Sequence, residues 1–226
     1  MKGLKNRSES KTYWVTPSGG KMTLSSKEKR DGYVFKTFTG SDKKEYSKWV
    51  LEFDQLAGYI TDVRTADTDY GKRWEVVVEI DDETYILCFK YSSGYSKSFL
   101  NQFPNIDLTK PVEVSASYEE AKDDKPQNAA LWVRQGTGVK SDWVGFKYSK
   151  DNPGDRPDLE ELTVKGEKVL DDTKRLAFHE KEVTAILNDF KLNKKTAEVE
   201  NFLKSDGDFI DATADVPGIS DDDLPF

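Results

Sequence analysis

The sequence holds one cysteine, Cys88, and one histidine, His179, among 226 residues. A lone thiol excludes an internal disulfide and any multi-cysteine zinc site, and fits a reducing compartment. A lone imidazole excludes His-rich metal centres. The plain expectation for the pair is a buried small thiol and a histidine on a helix surface. No run approaches the ~20 apolar residues that a membrane-spanning helix needs. The start MKGLKNRSESK carries no apolar segment of the secretory kind. The expected location is cytoplasmic, with no membrane partner.

Two further absences divide the chain. No Trp or Tyr follows Tyr148, and no Lys or Arg occurs in the last 21 residues, where seven aspartates fall. The rest of the chain then carries 34 basic against 35 acidic residues, so the net charge of −8 belongs almost wholly to the end. Residues 1 to 50 hold twelve Lys or Arg against five Asp or Glu. The molecule is basic in front and acidic behind. These breaks suggest a basic N-terminal extension with extra strands over 1–49 and a folded domain over 50–148. The Pro-, Gly- and Asp-rich SKDNPGDRPD marks a linker over 149–158.

Within 50–148 the dominant pattern is that of strands. In RWEVVVEI, 73–80, Trp74, Val76, Val78 and Ile80 alternate with Arg73, Glu75 and Glu79, and TYILCFKY, 84–91, follows after an Asp-Asp turn. LAGYITDV (56–63), PVEVSASY (111–118), ALWVRQ (130–135) and WVGFKY (143–148) read the same way. YSKSFLNQF, 95–103, has helical spacing and is stopped by Pro104. The succession of three strands, a short helix and two strands resembles an OB-fold, a five-stranded barrel with the helix between its third and fourth strands. The fold class expected is mainly β. TYWVT (12–16) and GYVFKTF (32–38) read as extra strands or an arm packed on the barrel.

Beyond the linker, Val183, Ile186, Leu187 and Phe190 fall at helical spacing, and Val199, Phe202 and Leu203 repeat it after KLNKK. Two short amphipathic helices within 159–205 are expected. From Asp206 the one-signed charge and low hydrophobicity predict a disordered acidic tail, 206–226.

That tail ends in Asp221, Asp222, Asp223, Leu224, Pro225 and Phe226. The run closely resembles the acidic tip of bacterial-type single-stranded DNA-binding proteins. The extra N-terminal segment and the short tether look more like the diverse phage members of that group. The resemblance implies a docking peptide for replication, recombination and repair enzymes, and a host-cell cytoplasmic setting. Physically, Phe226 offers an aromatic anchor, its carboxylate suits a bidentate arginine, and the aspartates steer encounter with a basic rim.

A protein that coats single strands needs cations for phosphates and aromatic faces for bases. The interleaved candidates are Tyr70, Lys72, Arg73, Trp74, Lys90, Tyr91, Tyr95, Lys97, Trp132, Arg134, Lys140, Trp143 and Lys147. Alternation puts Trp74 equally on a core face. Trp132, out of phase with Leu131 and Val133, is the better exposed platform, and Tyr70 in its polar loop is another. No enzyme activity and no cofactor are expected. Asp81–Asp82 and Asp123–Asp124 read as solvated turns, and GTGVKS (136–141) lacks phosphate-loop spacing. An OB-like protein–protein adaptor and a strand-annealing recombination protein remain open alternatives, and self-association is possible for a protein of this kind.

Overall fold

The computed structural model describes residues 11–39, 44–122, 127–136, 142–164 and 167–206. The chain divides into two units, Met1–Leu187 and Asn188–Phe226. The first is mainly β. Its strands are β1 Lys11–Ser18, β2 Lys21–Ser26, β3 Val34–Thr39, β4 Glu45–Phe53, β5 Gln55–Thr68, β6 Gly71–Ile80, β7 Glu83–Lys90, β8 Val112–Glu119, β9 Asn128–Gln135 and β10 Asp142–Trp143. Helix α1, Gly94–Gln102, lies between β7 and β8, and Pro104 sits in the single 3-10 turn Phe103–Asn105 that ends it.

All ten strands belong to one sheet, in the order β10-β9-β8-β5-β6-β7-β1-β2-β4-β3. The hydrogen-bonded ladder is not closed, because β10 and β3 stand at its two ends. The long β5 is the hub: Gln55 to Gly58 pair with β8, and Tyr59 onward pairs with β6. Gly58 sits at this exchange with φ +147°, where a Cβ would lie 2.7 Å from the Glu79 carbonyl oxygen and from Val78 Cγ1. Only glycine fits such a close crossing, and the register shift between Ile60 and Asp62 continues the bend.

Trp74, Val76 and Val78 of β6, Leu87 and Phe89 of β7, Phe99, Leu100 and Phe103, and Leu131 and Val133 of β9 are all buried, with Phe99 5.8 Å from both Phe89 and Phe103. Helix α1 does more than pack. Its Ser98 Oγ accepts from the Leu131 N–H at 2.8 Å, while the buried Gln102 donates to the Leu131 carbonyl at 2.8 Å and accepts from the Val133 N–H at 3.0 Å. Two side chains one turn apart thus satisfy backbone groups of β9 that a further strand would otherwise bond. The Ser93 hydroxyl caps the helix by accepting from the Ser96 N–H.

Several sequence expectations change. The segment before residue 50 is part of the sheet: β1 pairs in parallel with β7, and β4 runs through the expected boundary at 49/50. The strand expected over 143–148 is reduced to Asp142–Trp143. Residues 149–158 do not hang free, since Arg156 lies over the Tyr148 ring and Arg175 donates to the Pro157 carbonyl at 2.7 Å. The two helices expected within 159–205 are instead a β-hairpin and a single helix. The hairpin is β11 Glu160–Val164 with β12 Glu167–Asp171, and α2 is Thr173–Asp206. Nothing in KLNKK is a helix breaker, so the helix continues through it. The second unit contains only the continuation of α2 among the described residues, and its Leu192 is exposed. No helix among the described residues is long and apolar enough to cross a membrane.

Candidate nucleic-acid interface

The aromatic residues of the sheet separate into a buried and an exposed set by strand alternation. On β9, Leu131 and Val133 point into the core, so Trp132 and Arg134 project outward. Trp143 is paired opposite Arg134 on β10. Phe146, just beyond β10, joins them. Trp132 lies 5.6 Å from Phe146 and 6.1 Å from Trp143, centroid to centroid, and the Arg134 guanidinium sits 5.0 Å from the Trp143 ring centre. Trp132 is held by a 2.9 Å hydrogen bond from its indole N–H to Ser117 Oγ. Exposures of 36% for Trp132, 57% for Trp143 and 46% for Phe146 leave much of this cluster open to solvent. A cluster with one indole orientation fixed and a cation beside it can stack planar groups and bind their anionic linkage.

A second exposed region lies at the β5–β6 turn and the outer surface of β6, β7 and β1. Tyr70, at the turn, is 98% exposed. Arg73 lies over the Trp14 ring at 4.9 Å and shares the Glu75 carboxylate with Arg64, at 2.7 and 3.0 Å. Arg64 also reaches Asp62 at 3.5 Å, so the two guanidiniums are balanced by two carboxylates, and the Arg73 plane remains stacked on Trp14. A shallow depression here is lined by Thr16, Tyr70, Lys72, Arg73, Cys88 and Lys90, and Lys90 is exposed. Burial pushes the Cys88 thiol up to about 11, so it is unreactive at neutral pH.

The remaining candidates are held elsewhere. Trp74 is only 1% exposed and stacks on Tyr91 at 5.6 Å, which corrects its assignment as a DNA-facing residue. Its alternation with Val76 and Val78 was core phase. Lys72 and the Tyr91 hydroxyl both donate to Glu180 of α2, at 2.9 and 2.8 Å, and Thr65 adds a third bond to it at 3.1 Å. Lys97 pairs with Asp172 at 2.5 Å and Lys147 with Glu182 at 2.6 Å. Four candidates from the sequence, Lys72, Tyr91, Lys97 and Lys147, are therefore engaged by Asp172, just before α2, and by Glu180 and Glu182, about two turns into it, which could not be foreseen without the packing of that helix. Tyr95 is half-buried at the start of α1. Lys140 and the whole tip Asp221 to Phe226 lie outside the described residues. Trp14, Arg64 and Phe146 were missed, although the outward phase of Trp14 in TYWVT was a usable signal.

His179 also departs from expectation, being buried on α2 between Phe178 and Tyr148. Burial pushes its pKa below the ordinary 6.5; Glu182 pulls the other way, and Arg156 and Arg175 push it further down. Burial alone would raise Glu180, but hydrogen bonds from Lys72, Tyr91 and Thr65 hold it below 4.5. In both cases the unfolded state binds protons first as pH falls, so stability present above 6.5 is lost below it, in a first stage from His179 and a second below 4.5 from Glu180. Thermal midpoints measured against pH are expected to show this two-stage fall, and His179→Gln is expected to remove the first stage. A wild-type midpoint that stays flat from about pH 7 to 5, the range in which an ordinary histidine titrates, would count against it.

No protein-family model, curated protein or solved structure matches this chain.

Proposed function

We propose that this protein binds and protects single-stranded DNA during replication, recombination and repair, and recruits partner enzymes through its acidic tip. The observation that carries the reading is the open Trp132–Trp143–Phe146 cluster with Arg134 beside it. Three large aromatics grouped in solvent are unfavourable for a surface with no ligand, whereas each base stacked on such a ring contributes ~1 to 3 kcal/mol whatever its sequence.

The order β9-β8-β5-β6-β7, with α1 between β7 and β8, supports an OB-type barrel. Counted from β5, the strands stand as 5-4-1-2-3. In such barrels the second and third strands and the loop between the first two contact oligonucleotides. Here those places hold Arg73, Lys90 and Tyr70. The acidic end of the sequence, which resembles the single-stranded DNA-binding family, supports the recruiting role.

The deciding experiment is a titration with oligo-dT followed by tryptophan fluorescence at several salt concentrations. Quenching is expected, with affinity falling on a log–log plot by about 0.7 for each phosphate neutralised. Duplex DNA is expected to bind more weakly, because its bases present no open faces. Unchanged emission and no binding to oligo-dT would sink the proposal and favour the adaptor reading.

A further inference from the structure

At the end of the strand order opposite β10, β3 and β4 form a ribbon with its own pattern. β2 pairs with β4 only over Trp49 to Phe53, so Glu45 to Lys48 have β3 as their one neighbour. Residues 36–39 and 45–48 therefore form a two-stranded arm beyond β2. Such ribbons are marginal unless their cross-strand pairs favour them.

The pairs on one face of this arm are unusual. Lys36 stands directly opposite Lys48, and Phe38 stands opposite Tyr46. Like charges directly opposite are destabilising. Glu52 offsets one of them, accepting from Lys36 at 2.7 Å. The other, Lys48, extends over the Phe38 ring at 5.0 Å. Tyr46 is 52% exposed. Around the ribbon the arrangement recurs, with Phe35 and Trp49 in contact at 5.1 Å and Lys29 at 5.8 Å from the Trp49 ring centre. Each aromatic pair thus carries a lysine beside it. An apolar docking face for a second copy would gain nothing from facing lysines, whereas an anion beside them removes their repulsion.

We infer that the β3–β4 ribbon is a second single-strand contact, with Lys48 taking phosphate and Phe38 and Tyr46 taking a base. This rests on the single-strand binding proposed above and extends it to a separate surface at the other end of the strand order. A strand long enough to span both is then needed to engage the ribbon, and short strands are served by the Trp132 cluster alone.

The test uses the full chain and labelled oligo-dT of two lengths. One is about 10 nucleotides, within the span of a single site of this kind, and the other is several times longer. Phe38→Ala with Tyr46→Ala is expected to weaken binding of the long strand at least tenfold and leave the short strand unchanged. The unchanged short-strand affinity also serves as proof of folding. Lys48→Ala is expected to lower the salt slope of the long strand by about 0.7. If the wild type binds neither length, the function proposed above falls and this inference with it. If the wild type binds both and the variants match it at both lengths, the inference alone is overturned. It is equally overturned if the variants change the sedimentation of the protein while oligo-dT binding stays the same, which would make the ribbon a self-association surface.

Discussion

Replacing Trp132 and Trp143 together by alanine is expected to weaken oligo-dT binding at least about 30-fold, the loss of two stacked bases at ~1 kcal/mol or more each. The fold should survive. Both residues lie on the outer surface, and the core beneath them is made by Leu131 and Val133, whose backbone is held by Ser98 and Gln102 of α1. Trp132→Ala also frees Ser117 Oγ, which is close enough to the surface to find water. The measurement is an anisotropy isotherm with labelled oligo-dT at fixed salt, beside a thermal melt. An affinity within threefold of wild type, with an unchanged melt, would remove the cluster from the binding site. Trp132→Phe should recover much of the loss, because a phenyl ring still stacks though it cannot bond Ser117.

Removing residues 206–226 is the second large effect. The segment carries seven aspartates and no basic residue. On the function proposed above, this one-signed charge is expected to compete with phosphate for Arg73, Lys90 and Arg134, and its loss to tighten oligo-dT binding roughly tenfold at low salt. The difference should close near 1 M salt, where the Debye length is about 3 Å. Equal affinities of the full and truncated chains across a salt series would reject competition by the tail. Phe226→Ala is the companion variant. It keeps all seven charges and removes the aromatic anchor, so its DNA isotherms should overlay those of wild type. A shift with Phe226→Ala would move the competition from charge to the aromatic ring.

The strands were legible because they alternate. β5 to β9 and α1 fall on segments whose periods of two and of about 3.6 were plain in the residues. The N-terminal strands were visible as strands but not as members of the same sheet, since parallel pairing of β1 with β7 joins residues some 70 positions apart. No local pattern encodes such a contact. The hairpin β11–β12 was missed, because EELTVKGEKVLD is short, charged and lacks a strong apolar face.

Within the site, alternation correctly separated Trp132 from its buried neighbours, yet it left Trp74 undecided and the structure buries it against Tyr91. The lysines divided differently again. Lys90 remains open, whereas Lys72, Lys97 and Lys147 meet Glu180, Asp172 and Glu182. A lysine in a strand looks the same in sequence whether its partner is a solvent ion or a carboxylate a hundred residues away.

By itself, then, the sequence determined the mainly β class, the alternation that marks β5 to β9, and the polarity of a basic front and acidic end, all properties of neighbours a few residues apart. The tertiary structure decided the rest: which cations α2 neutralises, which aromatics gather around Trp132, and that the Lys36–Lys48 pair stands on a ribbon open to solvent. Those outcomes depend on long-range register and packing, where a single neighbour such as Glu180 engages Thr65, Lys72 and Tyr91 at once.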